Sequence, residues 1–347
     1  MEEQGFINTT PFAAEQLFLI DENGRDILVL LIKATYQING ASELVLAEEQ
    51  VPVNFSGEHY GEPGKSSFKY EPEVASVKVA TDVALIGHAY PEKLSDTKVD
   101  VTLRVGTLLK KVRVFGNRYW TKNIGFKTIT SPQPFDKIPL VYERAFGGWD
   151  RTNPDPKKHG YEPRNPVGTG YMDKKYGHFV KGVKLPNLED PKHLIKNCKD
   201  RPSPAGFGFI GPEWEPRRKY TGTYDDKWTK TKMPLLPDDF DSRYFNASHP
   251  DLIANGYLNG NEPVEIVNAS PKERLKFNLP GIMPPEGMVV MQDETEYNIT
   301  TNLDTVIINT DEDVVLLLWR GNLDIYGKLH DIYSVKVKMT DEDENAN

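Results

Sequence analysis

Four carboxylates near the middle of this chain, Glu143, Asp150, Asp225 and Asp241, are of the type and number that hydrolytic chemistry uses. Two of them held about 5 to 10 Å apart across a groove would suit glycoside hydrolysis, one as acid and one as base or nucleophile. That chemistry also needs one carboxyl with a raised pKa in an open groove. His88, His159, His178, His193 and His249 are scattered, so a serine, histidine and acid triad would have to be assembled in space. No phosphate-binding loop, Gly-x-Ser-x-Gly elbow or His-Glu-x-x-His pair occurs in the sequence. Asp225 and Asp241 are expected to cap turns or to pair with Arg243 and Arg217, and no catalytic residue is assigned.

Gly206-Phe-Gly-Phe-Ile-Gly211 has the letters of a dinucleotide fingerprint. A fingerprint needs a strand before it and a helix after it, because the helix N-terminus binds the pyrophosphate. Arg201-Pro-Ser-Pro-Ala205 and Pro212-Glu-Trp-Glu-Pro216 stand there instead, so a turn with inward aromatics is expected and no cofactor is assigned. Asp238-Asp-Phe-Asp241, near Asp225-Asp226, offers oxygen ligands to a hard cation. It lacks the glycine and final glutamate of an EF-hand, and no metal is assigned.

Trp149, Trp214 and Trp228, with neighbouring tyrosines, could form a recognition surface, since aromatics bury much area at low entropy cost. Most are expected to fill a local core. A row of exposed tryptophans on one face would mark a glycan-binding module, whereas an aromatic patch or an open sheet edge would favour a protein partner. Arg144 is expected to hold a loop through carbonyls or a carboxylate, with Gly147 and Gly148 turning the chain sharply after a strand-like run.

The elements that must position these residues read as β. Ile27-Leu-Val-Leu-Leu-Ile32 is a buried-strand run, flanked by Asn23-Gly24 and Asn39-Gly40 as hairpin turns with positive φ. Val99, Val101, Leu103 and Val105 alternate with polar residues, and Gly106-Thr107 reverses the chain into Val112 and Val114. Short apolar runs at Met288–Met291, Thr305–Ile308 and Val314–Trp319 repeat the style, followed by alternation from Tyr333 to Met339. Sixteen of the 26 prolines fall between Ser131 and Pro250, where regular structure is expected to be sparse. Short helices are expected at Pro191–Cys198 and Pro250–Asn255.

The resulting expectation is a mainly β protein, an antiparallel sandwich-like scaffold with a long irregular insert rich in proline, glycine and aromatics. Its regions are an N-terminal β part over 1–130, the irregular part over 131–250, a C-terminal β part over 251–340 and a flexible acidic tail over 341–347. With 42 Lys plus Arg against 51 Asp plus Glu, the net charge of -9 argues against nucleic-acid binding. The single cysteine, Cys198, excludes an intrachain disulfide framework. Met1–Phe6 has neither the basic start nor the apolar stretch of a signal peptide, and no apolar run approaches the roughly 20 residues of a membrane helix. A cytoplasmic chain without membrane insertion is expected.

A set of ordered motifs then points to a family. They are Tyr142-Glu-Arg-Ala-Phe-Gly-Gly148 with Asp150, Asn165-Pro-Val-Gly168 with Gly170, and Leu185-Pro-Asn-Leu-Glu189. Pro204-Ala-Gly-Phe-Gly208, Trp214 with Arg217, Gly222-Thr-Tyr-Asp225, Trp228, Leu236-Pro-Asp-Asp-Phe-Asp241 and Phe245-Asn-Ala247 follow. Across roughly residues 140 to 250 the chain resembles a bacterial family, domain of unknown function 2169, associated with type VI secretion. The resemblance implies a non-enzymatic adaptor or chaperone that loads a toxic effector, or its PAAR-like domain, onto the VgrG spike. It makes Tyr142, Glu143, Arg144, Phe146, Gly147, Gly148, Trp149, Asp150, Asn165, Pro166, Gly168, Gly170, Trp214, Arg217, Tyr224, Asp225, Trp228, Asp241, Phe245 and Asn246 candidates for partner contact or for shaping the motif.

Overall fold

The computed structural model of the chain describes residues 5–21, 23–123, 126–175, 179 and 181–340. The expected acidic tail, 341–347, and His178 lie outside the described residues. The protein is mainly β, with several mostly antiparallel sheets.

The strand Asp26–Ile38 is buried along almost its whole length: Ile27–Ile32 is apolar on both faces, and beyond it buried Lys33 pairs with Glu73 at 2.6 Å and Thr35 Oγ1 accepts from Val51 N–H. Leu28, Leu30, Ile32 and Ala34 face the main core, while Ile27, Val29 and Leu31 pack on Val53 and Leu318 on the other side. It pairs with Ala13–Ile20 on one edge and Val314–Asp324 on the other, and Asn302–Asn309 and Asp82–Ile86 complete the path. The last of these pairs is parallel.

A second sheet runs in the order Leu188–Glu189, Leu108–Phe115, Lys98–Val105, Pro263–Val267 and Arg274–Asn278. Val101, Leu103 and Val105 point into the core and Lys98, Asp100 and Arg104 into water, as the alternation predicts. A third sheet orders Gly5–Asn8, Ile332–Lys338, Glu286–Met291 and Glu296–Ile299. All three larger sheets combine strands from both ends of the chain, and one core cluster draws on all three.

Several local expectations are corrected. The Asn23-Gly24 turn uses Gly24 at φ 81°, but at Asn39-Gly40 the positive φ falls on Ser42, at 61°. There the Asn39 side chain accepts the N–H groups of Ala41 and Glu43, each at 2.9 Å, and turns the chain without glycine.

Pro191–Cys198 forms no helix. Nearby carboxylates take its amides instead: Lys192 N–H donates to Asp190, Ile195 to Glu189, and Lys196 and Asn197 to Asp200. Only Pro250–Leu252 of the second expected helix forms, as one 3-10 turn, and Ala254 N–H is drawn to the Thr81 carbonyl. An α-helix appears instead at Asp226–Thr231, with Asp225 as its N-cap. The strand-like run through Tyr142 is likewise interrupted, because Tyr142–Arg144 is a 3-10 turn. No helix among the described residues is long and apolar enough to cross a membrane.

Candidate functional site

The conspicuous motifs converge on one buried asparagine. Asn165 Nδ2 donates to the carbonyls of Tyr142 at 2.8 Å and Phe146 at 3.1 Å, and its own carbonyl accepts from Gly148 at 2.9 Å. These bonds fold the two motif segments into a knot. Phe146–Gly147 pairs in parallel with Thr169–Gly170, and Trp149–Asp150 pairs antiparallel with Gly160–Tyr161. Gly148 sits at φ 87° and a Cβ there would lie 2.2 Å from the Gly168 carbonyl. At Gly168 an added Cβ would lie 2.4 Å from Asn165 Nδ2 and 2.8 Å from the Ala145 carbonyl, so backbones touch where no side chain fits.

The knot presents two aromatic rings to solvent. Trp149 and Tyr161 are directly opposed across their strand pair and stack with centroids 4.6 Å apart at 23°. They remain 48% and 38% exposed. The Arg151 guanidinium lies 5.3 Å from the Trp149 ring centre, a cation-π contact.

These groups border a cleft of about 770 Å³ also lined by Lys65, Pro163, Pro166, Gly168, Glu213, Trp214 and Arg218. Arg218 is exposed and has no ion-pair partner among the described residues, while Lys65 pairs with Glu62 at 2.9 Å. Three cations and one acid on the wall give the cleft a positive character in a chain of net charge -9.

Other candidates shape the surroundings. Trp214 is buried and meets the Tyr142 ring edge-on at 5.8 Å. Buried Arg217 pairs with Glu71 at 2.7 Å and donates to the carbonyls of Ile210 and Tyr244. Arg144 donates to Asn187 Oδ1 at 3.3 Å, an amide where a carboxylate or loop carbonyl was expected. Tyr224 and Trp228 meet edge-on at 4.7 Å, and Phe245 packs with Phe240 and Tyr244. Asn246 donates to the Ala80 carbonyl at 2.7 Å. Tyr224, Asp225, Trp228, Asp241, Phe245 and Asn246 do not line the cleft.

The four carboxylates of the hydrolase alternative are each engaged with the protein itself. Glu143 accepts from Ser67 N–H and Oγ, and buried Asp150 accepts from Thr152 and from Asp173 N–H. Asp225 caps the helix and Asp241 caps the 3-10 turn Ser242–Phe245. The hydrogen-bonded Arg243 guanidinium holds Asp241 below the usual carboxylate range. Burial pushes the carboxyls of Glu71 and Glu189 up, but neither lines the cleft. In the Asp-rich loop, Asp238 pairs with Lys232 and Asp239 accepts from Thr223. No group of three metal-ligating side chains occurs among the described residues.

The exposed row of tryptophans that would mark a glycan module is absent, since Trp120, Trp214 and Trp319 are buried. Phe207 and Phe209 of the glycine-rich segment are buried as expected. Sequence reasoning missed Arg151 and Tyr161. The signal that could have found Tyr161 is an aromatic either side of a short Asn-Pro-Asp-Pro-Lys-Lys loop, which brings the two into register.

Fold and cleft together define a mainly β protein whose central motifs build a rigid mount for an exposed aromatic pair. The chain belongs to a bacterial family described as "uncharacterized protein conserved in bacteria (DUF2169)", whose model matches residues 23–320. No curated protein and no solved structure matches it.

Proposed function

We propose that the chain is a non-enzymatic adaptor of type VI secretion, which binds an effector or its PAAR-like domain and hands it to the VgrG spike. The observation that supports this most is the Trp149–Tyr161 stack, half-exposed on a mount fixed by Asn165, with Arg151 and Arg218 beside it. Exposed aromatics next to arginines are the composition of interaction hot spots. Binding at such a surface stabilises the folded partner by mass action until a competing contact releases it. The reading takes the chain to act in the bacterial cytoplasm, without a nucleic-acid or membrane partner.

The test is a tagged pull-down from native cells expressing the secretion system, with mass spectrometry of what co-purifies. A PAAR-like protein or toxin should be recovered with the unaltered chain. The Trp149→Ala variant should lose roughly tenfold or more of that recovery while remaining folded. Recovery of neither partner from such cells overturns the proposal.

A further inference from the structure

Ala13–Ile20 is an outer strand of the sheet built on Asp26–Ile38, whose sixth strand, Leu44–Leu46, pairs with Tyr36, Gln37 and Ile38 further along, and among the described residues its free edge lacks the usual devices against strand addition. It contains no proline or lysine, no bulge interrupts its pairing with Asp26–Ile38, and Glu15 is its only charge.

The direction of its backbone groups follows from one bond. Asp21 N–H donates to the Arg25 carbonyl at 2.9 Å, so these two form a hydrogen-bonded pair. Such pairs alternate along an antiparallel ladder. Leu19, Leu17 and Glu15 therefore bond inward, and the N–H and C=O groups of Ala14, Gln16, Phe18 and Ile20 point away from the sheet. The neighbouring ladder agrees: Ile325 N–H donates to the Asp26 carbonyl at 3.1 Å, which turns Asp26 away from Ile20, its opposite residue.

The side chains are unfinished in the same place. Phe18 and Ile20 are 43% and 60% exposed, although Leu28, paired with Phe18, is fully buried in the main core. A ladder and a core face both stop at this edge, and only another extended chain would continue both.

We propose that this edge pairs with the same edge of a second copy, antiparallel about a two-fold axis at Gln16. Outward-bonding residues must meet outward-bonding residues, so even-numbered positions pair with even-numbered positions. With Gln16 on Gln16, Phe18 faces Ala14 of the second copy and Glu15 faces Leu17, which sets large against small and opposes no like charges. Gln16 Oε1 is buried with no hydrogen-bond partner among the described residues, which leaves an unused acceptor on the residue at the axis. The isologous contact closes at two copies rather than growing into a fibre. Net charge of the same sign on both chains opposes association, so added salt should strengthen it.

Sedimentation velocity of the full chain over roughly 1 to 300 µM tests this. The 39.3 kDa chain should shift toward twice its mass with rising concentration. Gln16→Pro removes an outward donor without breaking the inner ladder, and Phe18→Lys places a charge on the edge. Each should weaken the dimer at least about tenfold. Leu109→Lys, exposed on the second sheet, should leave it unchanged. Circular dichroism checks that the variants are folded, and Phe18→Lys carries the test if Gln16→Pro is not. A monomer throughout the range, or a dimer indifferent to Phe18→Lys, overturns the proposal.

Discussion

Asn165 is fully buried, and no other uncharged side chain of its size could donate twice at that position. Its amide holds two carbonyls while its own Oδ1 has no partner among the described residues, so the donors are what the site uses. Asn165→Ala would leave the Tyr142 and Phe146 carbonyls unsatisfied and should cost about 2 to 3 kcal/mol, read as a lower urea midpoint. Trp149→Ala removes a half-exposed ring and should change stability by no more than about 1.5 kcal/mol, the worth of its stack on Tyr161. His249 gives a pH signature. Burial first, and then the Lys110 ammonium 3.0 Å from its Nδ1, lower its pKa to about 3. The unfolded imidazole titrates near 6.5, so the unfolded state takes up a proton that the folded state refuses. The contribution is complete above pH 6.5 and is lost progressively as pH falls toward about 3. Between pH 7 and 5 the urea midpoint of the unaltered chain should fall more steeply than that of His249→Asn.

At the scale of elements, buried charge fastens the central region to the sheets. Asp82 opens the strand Asp82–Ile86 and is fully buried, accepting from Lys78 at 2.8 Å, Ala247 N–H at 2.9 Å and Asn246 at 3.2 Å. The sequence showed an aspartate before an apolar run, but not the segment more than a hundred residues away that it holds. Asp82→Ala would leave the buried Lys78 ammonium with only the longer 3.7 Å pair to Glu71, and the Asn246 and Ala247 donors without that acceptor, and should cost about 3 kcal/mol or more. Asp100→Ala, which breaks the more exposed pair with Arg113, should cost less than about 1 kcal/mol, and chemical denaturation of both variants measures the contrast. Legibility followed the same division. Lys98–Val105 could be read because one of its faces is wet and periodicity survives. The two-residue strands at Phe146, Trp149, Gly160 and Thr169 could not, since two residues carry no period.

At the scale of the molecule, the two ends of the chain complete each other. Asp26–Ile38 lies between Ala13–Ile20 and Val314–Asp324, and Gly5–Asn8 pairs with Ile332–Lys338. A fragment of residues 1–130 would expose the apolar edge of its longest strand and lose the far wall of its core. Such a fragment should show no cooperative thermal transition by circular dichroism and should elute as aggregate, whereas the full chain melts cooperatively. A sharp melt of 1–130 alone would contradict this account.

Composition, alternation and proline content act locally, so the β class, the apolar strand runs and the irregular centre were legible in the amino-acid sequence, and the ordered motifs marked the family. The tertiary structure decided which strands are neighbours, since apolar runs of similar length are interchangeable until the core is assembled. It decided that Asn165 and the glycines serve shape, that Trp149 stands exposed while Trp214 is buried, and that Arg151 and Tyr161 join the cleft. Burial and juxtaposition are properties of packing between distant segments, and no local pattern encodes them.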